Sequence, residues 1–265
     1  MLRIRLDAPF AAFRPYTAGW FRPTAAFLTP SAAYGLLLNV AGIESRLREE
    51  DPAHDGAQPT TYTRPGLPVM ELAVGVRAVV GDPGRPDLPR VQTIYQQLHN
   101  YPVGASGKER AADAHGNKYN ITPVRREFLC GLRAVIAVRT DLTTEDRIRR
   151  GLAGTLEPET PRYGLPFLGD NSFLPDRLEP DGANDPAFWF ERLVGDLPEP
   201  RKFTTRMTVA IDRADMSGTV TALFAPSPGP TPEPPTSAWV AVGLRPGSDP
   251  APAERQAKPR SGRGR

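Results

Sequence analysis

PFAAFRPYTAGWFRPTAAFLTPSAAYGLLLNVAGIE, Pro9 to Glu44, is the stretch around which the chain is organised. Ahead of it runs LRIRLDA, Leu2 to Ala8, in which Leu2, Ile4 and Leu6 alternate with Arg3, Arg5 and Asp7. A period of two with one apolar side predicts a strand with one buried face. A proline-broken loop follows, carrying Arg14 and Arg22 and the aromatics Phe10, Phe13, Tyr16 and Trp20. Then a helix opens. Pro30 pushes Thr29 out of helical angles. Ser31 is placed to cap the first turn. Ala33, Leu36, Leu37, Val40 and Ala41 recur at helical spacing, and Gly42 is a natural stop.

Free N–H groups at that helix start, beside arginines and aromatics, suit a phosphate backbone and stacked bases. The same residues also read as core rings and solvated guanidinium groups. Both readings stand at this point.

The chain has 265 residues, enough for one large domain or two small ones. A net charge of +3 permits a nucleic-acid partner without demanding one. With 31 prolines and 24 glycines, many loops are expected around a modest core. The single cysteine, Cys130, excludes an intrachain disulfide and reads as a small buried hydrophobe in FLCGLRAVIAV. MLRIRLDAPF lacks a signal-peptide pattern, and no apolar run is long enough to span a membrane. The expectation is a soluble cytoplasmic protein with no membrane partner.

Beyond Glu44, Ser45 to Thr63 is polar and broken, a helix end and a surface loop. Pro68 to Val80 reads as a strand with Met70, Leu72, Val74, Val76 and Ala78 on one side, and Gly75 marks a bulge or a close approach. Two extended arms, about Arg90 to Pro102 and Tyr119 to Val138, flank a polar tip. They predict a projecting hairpin, with an ordinary solvated loop as the other reading. Thr144 to Leu156 reads as a short amphipathic helix capped by Thr144, with Ile148, Leu152 and Leu156 inward and Arg147, Arg149 and Arg150 in solvent. Phe188-Trp189-Phe190 reads as a satellite cluster or a partner contact. Strands follow at Phe203 to Ile211, Gly218 to Phe224 and Ala238 to Val242. The intervening PSPGPTPEPPTS is expected to be extended or disordered. Residues 1–244 make one domain, with the hairpin at about 81–122. Residues 245–265 form a basic tail, rich in proline and glycine and expected to be disordered. The order strand, helix, strand, hairpin, strand, helix, strands predicts an α+β fold with a ferredoxin-like or RRM core and extra C-terminal strands.

No metal-ligand spacing, Walker loop, nucleophile elbow or dinucleotide fingerprint occurs, and no cofactor is implied. His54 and His115 fall in expected loops, and His99 has no second ligand at a metal spacing.

The chain resembles the fifth CRISPR-associated (Cas) protein family of the RAMP superfamily. The residues that carry the likeness are the strand ending in Ala8-Pro9-Phe10, then Phe13-Arg14, then Pro30-Ser31-Ala32-Ala33-Tyr34-Gly35-Leu36-Leu37. Leu168-Gly169-Asp170-Asn171-Ser172-Phe173 resembles the family's short Leu-Gly-x-x-x-Phe motif, though an unrelated two-turn loop would share that pattern. The resemblance favours the hairpin as a β-hairpin thumb. It implies a non-catalytic subunit of a type I interference complex (Cascade) that caps the 5′ handle of the guide RNA in antiviral defence. The implied partners are guide RNA, the backbone and large subunits and, through the assembled complex, target DNA. Arg14 and Arg22 would hold phosphates. Ser31 and the N–H groups after it would take another phosphate or a base edge, and Trp20 or Tyr34 would stack a base. Lys118, Arg125 and Arg126 are candidates at the hairpin, where adjacent strand residues face opposite ways.

Two alternatives remain. One branch of the family (type I-C) cuts precursor guide RNA without metal, using a tyrosine beyond the first helix and a Lys-His pair. Here Ala41-Gly42-Ile43-Glu44 has no phenol and no Lys-His pair occurs, so only a rearranged site of Tyr34, His115 and Lys118 would serve. The other alternative is a protein-interaction module on a ferredoxin-like core.

Overall fold

The computed structural model describes residues 1–15, 21–47, 63–98, 122–157, 164–195, 201–213 and 216–243. Trp20, Lys118, the three histidines, the hairpin tip and the basic tail lie outside them. The elements run β1 (Leu2–Ala11), β2 (Phe21–Arg22), α1 (Pro30–Val40), β3 (Met70–Val79), β4 (Asp82–Pro86), β5 (Arg90–Leu98), β6 (Thr122–Arg139), α2 (Leu142–Ala153), β7 (Arg177–Pro180), β8 (Ala187–Arg192), β9 (Thr205–Ala210), β10 (Val220–Pro226) and β11 (Val240–Val242).

The strands join one large sheet in the order β7-β1-β6-β3-β8-β10-β9. β2 and β5 are added on β6, and β4 and β11 on β3. The pairings along this path are antiparallel, and the two-residue β2 runs parallel to β6. The predicted arms form a hairpin, with Arg90 opposite Cys130 and Leu98 opposite Thr122.

Alternation in β1 does what the sequence predicts: Leu2, Ile4, Leu6 and Ala8 enter the main core under the helices. Thr29, not Ser31, caps α1. Its hydroxyl accepts the Ala32 N–H at 3.2 Å, while Pro30 occupies the first helical position. Because that proline starts the helix, Ser31 is already inside it, and its hydroxyl pairs with Thr29. Gly42 follows the helix at φ 67, as expected of a stop. Likewise Asp141, not Thr144, caps α2, accepting the Thr144 N–H at 2.9 Å, and Leu156 falls beyond the helix. The two helices meet where Gly151 has no room for a side chain: a Cβ there would lie 1.8 Å from the Val40 carbonyl. Arg147 is not a solvated charge. It donates to the Ala41 and Gly42 carbonyls, at 3.0 and 3.1 Å, and satisfies the end of α1.

The sheet's other face is covered over part of its area. Phe188 and Phe190 point into the main core, while Trp189 turns to this second face with Ala73, Val135, Ala137, Ala187 and Ala238. Gly75 marks a close approach: a Cβ would lie 2.9 Å from the Trp189 ring. The proline-rich run lies here as a strap bridged to β8 at Thr231, so of the two forms expected from its sequence, extended or disordered, it does not take the disordered one. Trp189 Nε1 donates to the Thr231 carbonyl at 3.0 Å, and Arg3 donates to the Pro232 and Asp185 carbonyls while pairing with Asp181 at 2.7 Å. Prolines bring no N–H to satisfy, so donors from the sheet complete the strap's carbonyls. Glu44 is buried and accepts the Arg46 N–H at 3.0 Å. No described helix is long and apolar enough to cross a membrane.

Candidate functional site

Two arginines from distant parts of the sequence share one carboxylate, Asp170, and a third, Arg22, lies beside them. Arg14 follows β1, Arg22 sits in β2 and Arg126 lies midway along the paired part of the β5–β6 hairpin, opposite Ile94. Register places Arg22 beside Arg126, and Phe21 beside Arg125. Asp170 Oδ2 accepts from Arg14 Nη2 at 3.2 Å and from Arg126 Nη2. Arg126 also donates to the Gln96 side chain on β5. Arg22 has no ion-pair partner among the described residues.

The loop that delivers Asp170 is the Leu-Gly-x-x-x-Phe segment. Ala12 N–H donates to the Leu168 carbonyl at 2.9 Å, and Leu168 N–H donates to the Phe173 carbonyl at 2.8 Å. Gly169 has φ 83, and a Cβ there would lie 1.7 Å from the Ala12 carbonyl oxygen. Only glycine permits both that backbone angle and that approach. Asp170 is fixed within its own loop by the Ser172 N–H at 3.0 Å.

The electrostatics follow. Burial, then the neighbouring Arg126 and Arg22 charges, push the Arg14 guanidinium below its ordinary pKa, against the pull of Asp170. Burial opposes ionisation of Asp170, but the Ser172 N–H and Arg126 outweigh it and hold the carboxyl below its usual range. Arg14 Nε is buried without a hydrogen-bond partner. Arg14 and Arg22 are therefore not loose loop charges, as their sequence setting suggested: one is clamped by Asp170 and the other belongs to a strand.

Arg125 faces the other way from Arg126, as alternation requires. It lies 5.1 Å from the Phe21 ring, on the side where Glu127 accepts the Thr24 N–H at 3.3 Å. Ser31 and Tyr34 lie elsewhere again. They line a cleft of about 480 Å³ with Arg64, Val209, Arg213 and Val242, and none of the four candidate arginines is among its walls. The Tyr34 phenol donates to the Pro68 carbonyl at 2.8 Å, and burial pushes its pKa up to about 12. Its ring is packed rather than presented for stacking.

A second arginine-lined hollow, of about 360 Å³, opens on the uncovered part of the sheet, among Arg5, Arg77, Arg133 and Arg177. Its charges are already matched. Arg5 and Arg77 share Asp7, Arg133 meets Asp87 at 3.4 Å, and Arg177 meets Glu179 at 3.5 Å. Around Asp170, by contrast, three guanidinium groups, Arg14, Arg22 and Arg126, lie near one carboxylate. Sequence reading named all three arginines but missed Asp170. The signal available was Gly169 before it, since a glycine-rich turn allows close backbone approach.

The family described as CRISPR-associated protein (Cas_Cas5) matches residues 1–176. A chain of a CRISPR RNA-guided surveillance complex is similar at 16% identity and a TM-score of 0.47, covering 89% of this chain and 95% of that one. The crystal structure of a Cas protein is similar at 16% identity and a TM-score of 0.39, covering 85% and 92%. None of the curated proteins matches the chain.

Proposed function

The chain belongs to the CRISPR-associated Cas5 family, and on that premise we propose that it is a non-catalytic RNA-binding subunit of a type I interference complex, Cascade, holding the 5′ handle of the guide RNA. The observation that carries this reading is the clustering of Arg14 and Arg126 on the shared carboxylate of Asp170, with Arg22 in register beside Arg126. Guanidinium forks match phosphate oxygens, and a cationic surface that tracks a backbone is the common means of holding a single strand. The order β7-β1-β6-β3, with α1 and α2 linking strands across it, supports a ferredoxin-like core of the RAMP kind. The β5–β6 hairpin is then the thumb, and backbone and large subunits are the protein partners. Target DNA is met through the guide in the assembled complex.

Tyr34 supports the non-catalytic part of the reading. A general base for the ribose 2′-hydroxyl needs a pKa near the working pH. Burial pushes this phenol up to about 12, and its proton is committed to the Pro68 carbonyl.

The test is Arg22→Ala, chosen because Arg22 is not clamped. Its dissociation constant for a repeat-derived 5′-handle RNA is measured at several salt concentrations, with circular dichroism as the folding control. Loss of one phosphate contact should flatten the slope of log K against log salt by about 0.7, the single-strand value. An unchanged slope in a folded variant removes Arg22 from the interface.

A further inference from the structure

We propose that Phe10 is a base-stacking platform, the exposed front of a three-ring wall standing beside the arginine cluster. The proposal rests on the RNA-binding reading above and assigns that site a base contact. The Phe10 ring lies 5.6 Å from Phe128, edge to face, and 5.9 Å from Phe173, with Phe128 and Phe173 themselves 6.0 Å apart. Phe128 and Phe173 are half-buried behind it, while Phe10 is 43% exposed.

The position of this wall follows from the strands. In β1 the residues entering the main core are Leu2, Ile4, Leu6 and Ala8, and then Ala11. In β6 they are Val138, Ile136, Ala134 and Leu132, and then Leu129. The inward side therefore switches parity in both strands, next to Gly131, whose φ is 73. The switch turns Phe10 outward. It also puts Phe128 on the same side as Arg126, two residues along the strand.

Rings and cations share one support. The loop that brings Asp170 to Arg14 and Arg126 closes with Phe173, whose N–H donates to the Asp170 carbonyl at 3.0 Å. An exposed ring face held on the same support as the arginine cluster matches the two halves of a nucleotide, its base and its phosphate. An apolar side chain of a protein partner would use the ring but leave Arg22 without purpose, so the cations favour a nucleotide.

The experiment uses the full chain and 5′-handle RNAs carrying 2-aminopurine at successive positions. It compares wild type, Phe10→Leu, Phe10→Tyr and Arg22→Ala, each checked by circular dichroism. In wild type and Phe10→Tyr, one position should be quenched on binding, and in Phe10→Leu that quenching should vanish. Stacking is uncharged, so Phe10→Leu should weaken binding by about 5- to 150-fold while leaving the salt slope intact. Arg22→Ala should do the reverse, flattening the slope without removing the quenching. A folded Phe10→Leu that binds and quenches like wild type overturns the stacking site and leaves the RNA reading standing. Affinity lost without any quenched position, or a defect seen only in assembly with a protein subunit, also overturns it. Wild type that binds no guide RNA overturns the functional reading itself.

Discussion

Asp170→Asn should make the protein less stable and a tighter binder of RNA. The substitution keeps the shape and one acceptor oxygen and removes the charge. The side chains involved are 31% exposed for Arg14, 15% for Arg126 and 13% for Asp170. An exposed ion pair contributes about 0–1 kcal/mol, and breaking a buried one costs about 3–5 kcal/mol. This half-covered triad lies between, so about 2–3 kcal/mol is expected. For a domain of this size that lowers the melting temperature by roughly 4–12 °C. On the RNA side, one negative charge is removed, taken to lie on the order of 8 Å from a phosphate held by the arginines. At effective dielectrics between bulk water and a protein surface that is worth about 0.5–2 kcal/mol, or roughly 2- to 30-fold in affinity. The gain should shrink as salt rises, because the screening length is about 10 Å at 0.1 M. Chemical denaturation and RNA titrations at two salt concentrations give both numbers.

The same variant carries a pH signature. The Asp170 carboxyl is held below its usual range in the folded chain. Its stabilisation is therefore fully present above the unfolded value of about 3.9 and is lost as pH falls through the folded value. Asp170→Asn should flatten the loss of stability below about pH 4. A variant as stable as wild type would refute the clamp. A folded variant with unchanged or weaker RNA binding at low salt would refute the cluster as the contact surface.

Two further substitutions probe the supports of this site and of α1. Gly169→Ala should destabilise by about 2–4 kcal/mol, from the left-handed backbone and the clash with the Ala12 carbonyl. A urea midpoint indistinguishable from wild type would mean that the loop is not docked there. Thr29→Ala should cost about 1 kcal/mol as a lost cap, and Ser31→Ala should stay within about 0.5 kcal/mol. The opposite ranking in thermal melts would return the capping role to Ser31.

What was legible in the sequence is what neighbouring residues decide. Alternation of Leu2, Ile4 and Leu6 gave β1 its buried face, and Gly75 in an apolar strand marked the approach of another residue, Trp189. The pairing of the β5 and β6 arms was readable because both are extended and flank a polar turn. Cap assignments failed by two or three residues, at Ser31 and Thr144, because several hydroxyl and carboxyl residues cluster at each helix start. Backbone geometry alone selects among them. The proline-rich strap stayed open between extended and disordered because composition records the missing N–H groups but not the donors, Trp189 and Arg3, that lie far away in sequence. Asp170 was missed for the same reason: it is 156 residues from Arg14. Phe10 was not among the sequence candidates because the parity switch near Gly131, which turns it outward, is invisible in a strand pattern of period two.

The acid in the middle of the cations follows from the balance between folding and binding. Without RNA, Arg14, Arg22 and Arg126 repel one another, and burial and these neighbours already hold the Arg14 guanidinium below its ordinary pKa. A fold with no counter-charge there would spend stability to keep three guanidinium groups together. Asp170 supplies one negative charge against three positive ones, enough to fix Arg14 and Arg126 in place and too little to neutralise the group. On the proposed RNA-binding role, the remaining positive charge is left for phosphate. Each phosphate that arrives relieves repulsion the protein cannot relieve itself, so binding and stability are linked. At a guide-RNA concentration one hundred times the dissociation constant, the linkage amounts to about 2.7 kcal/mol. That is comparable with the 2–3 kcal/mol, roughly, expected from the Asp170 clamp. On the proposed role the carboxylate would therefore have opposite effects in the two states, stabilising the free protein and restraining affinity in the complex.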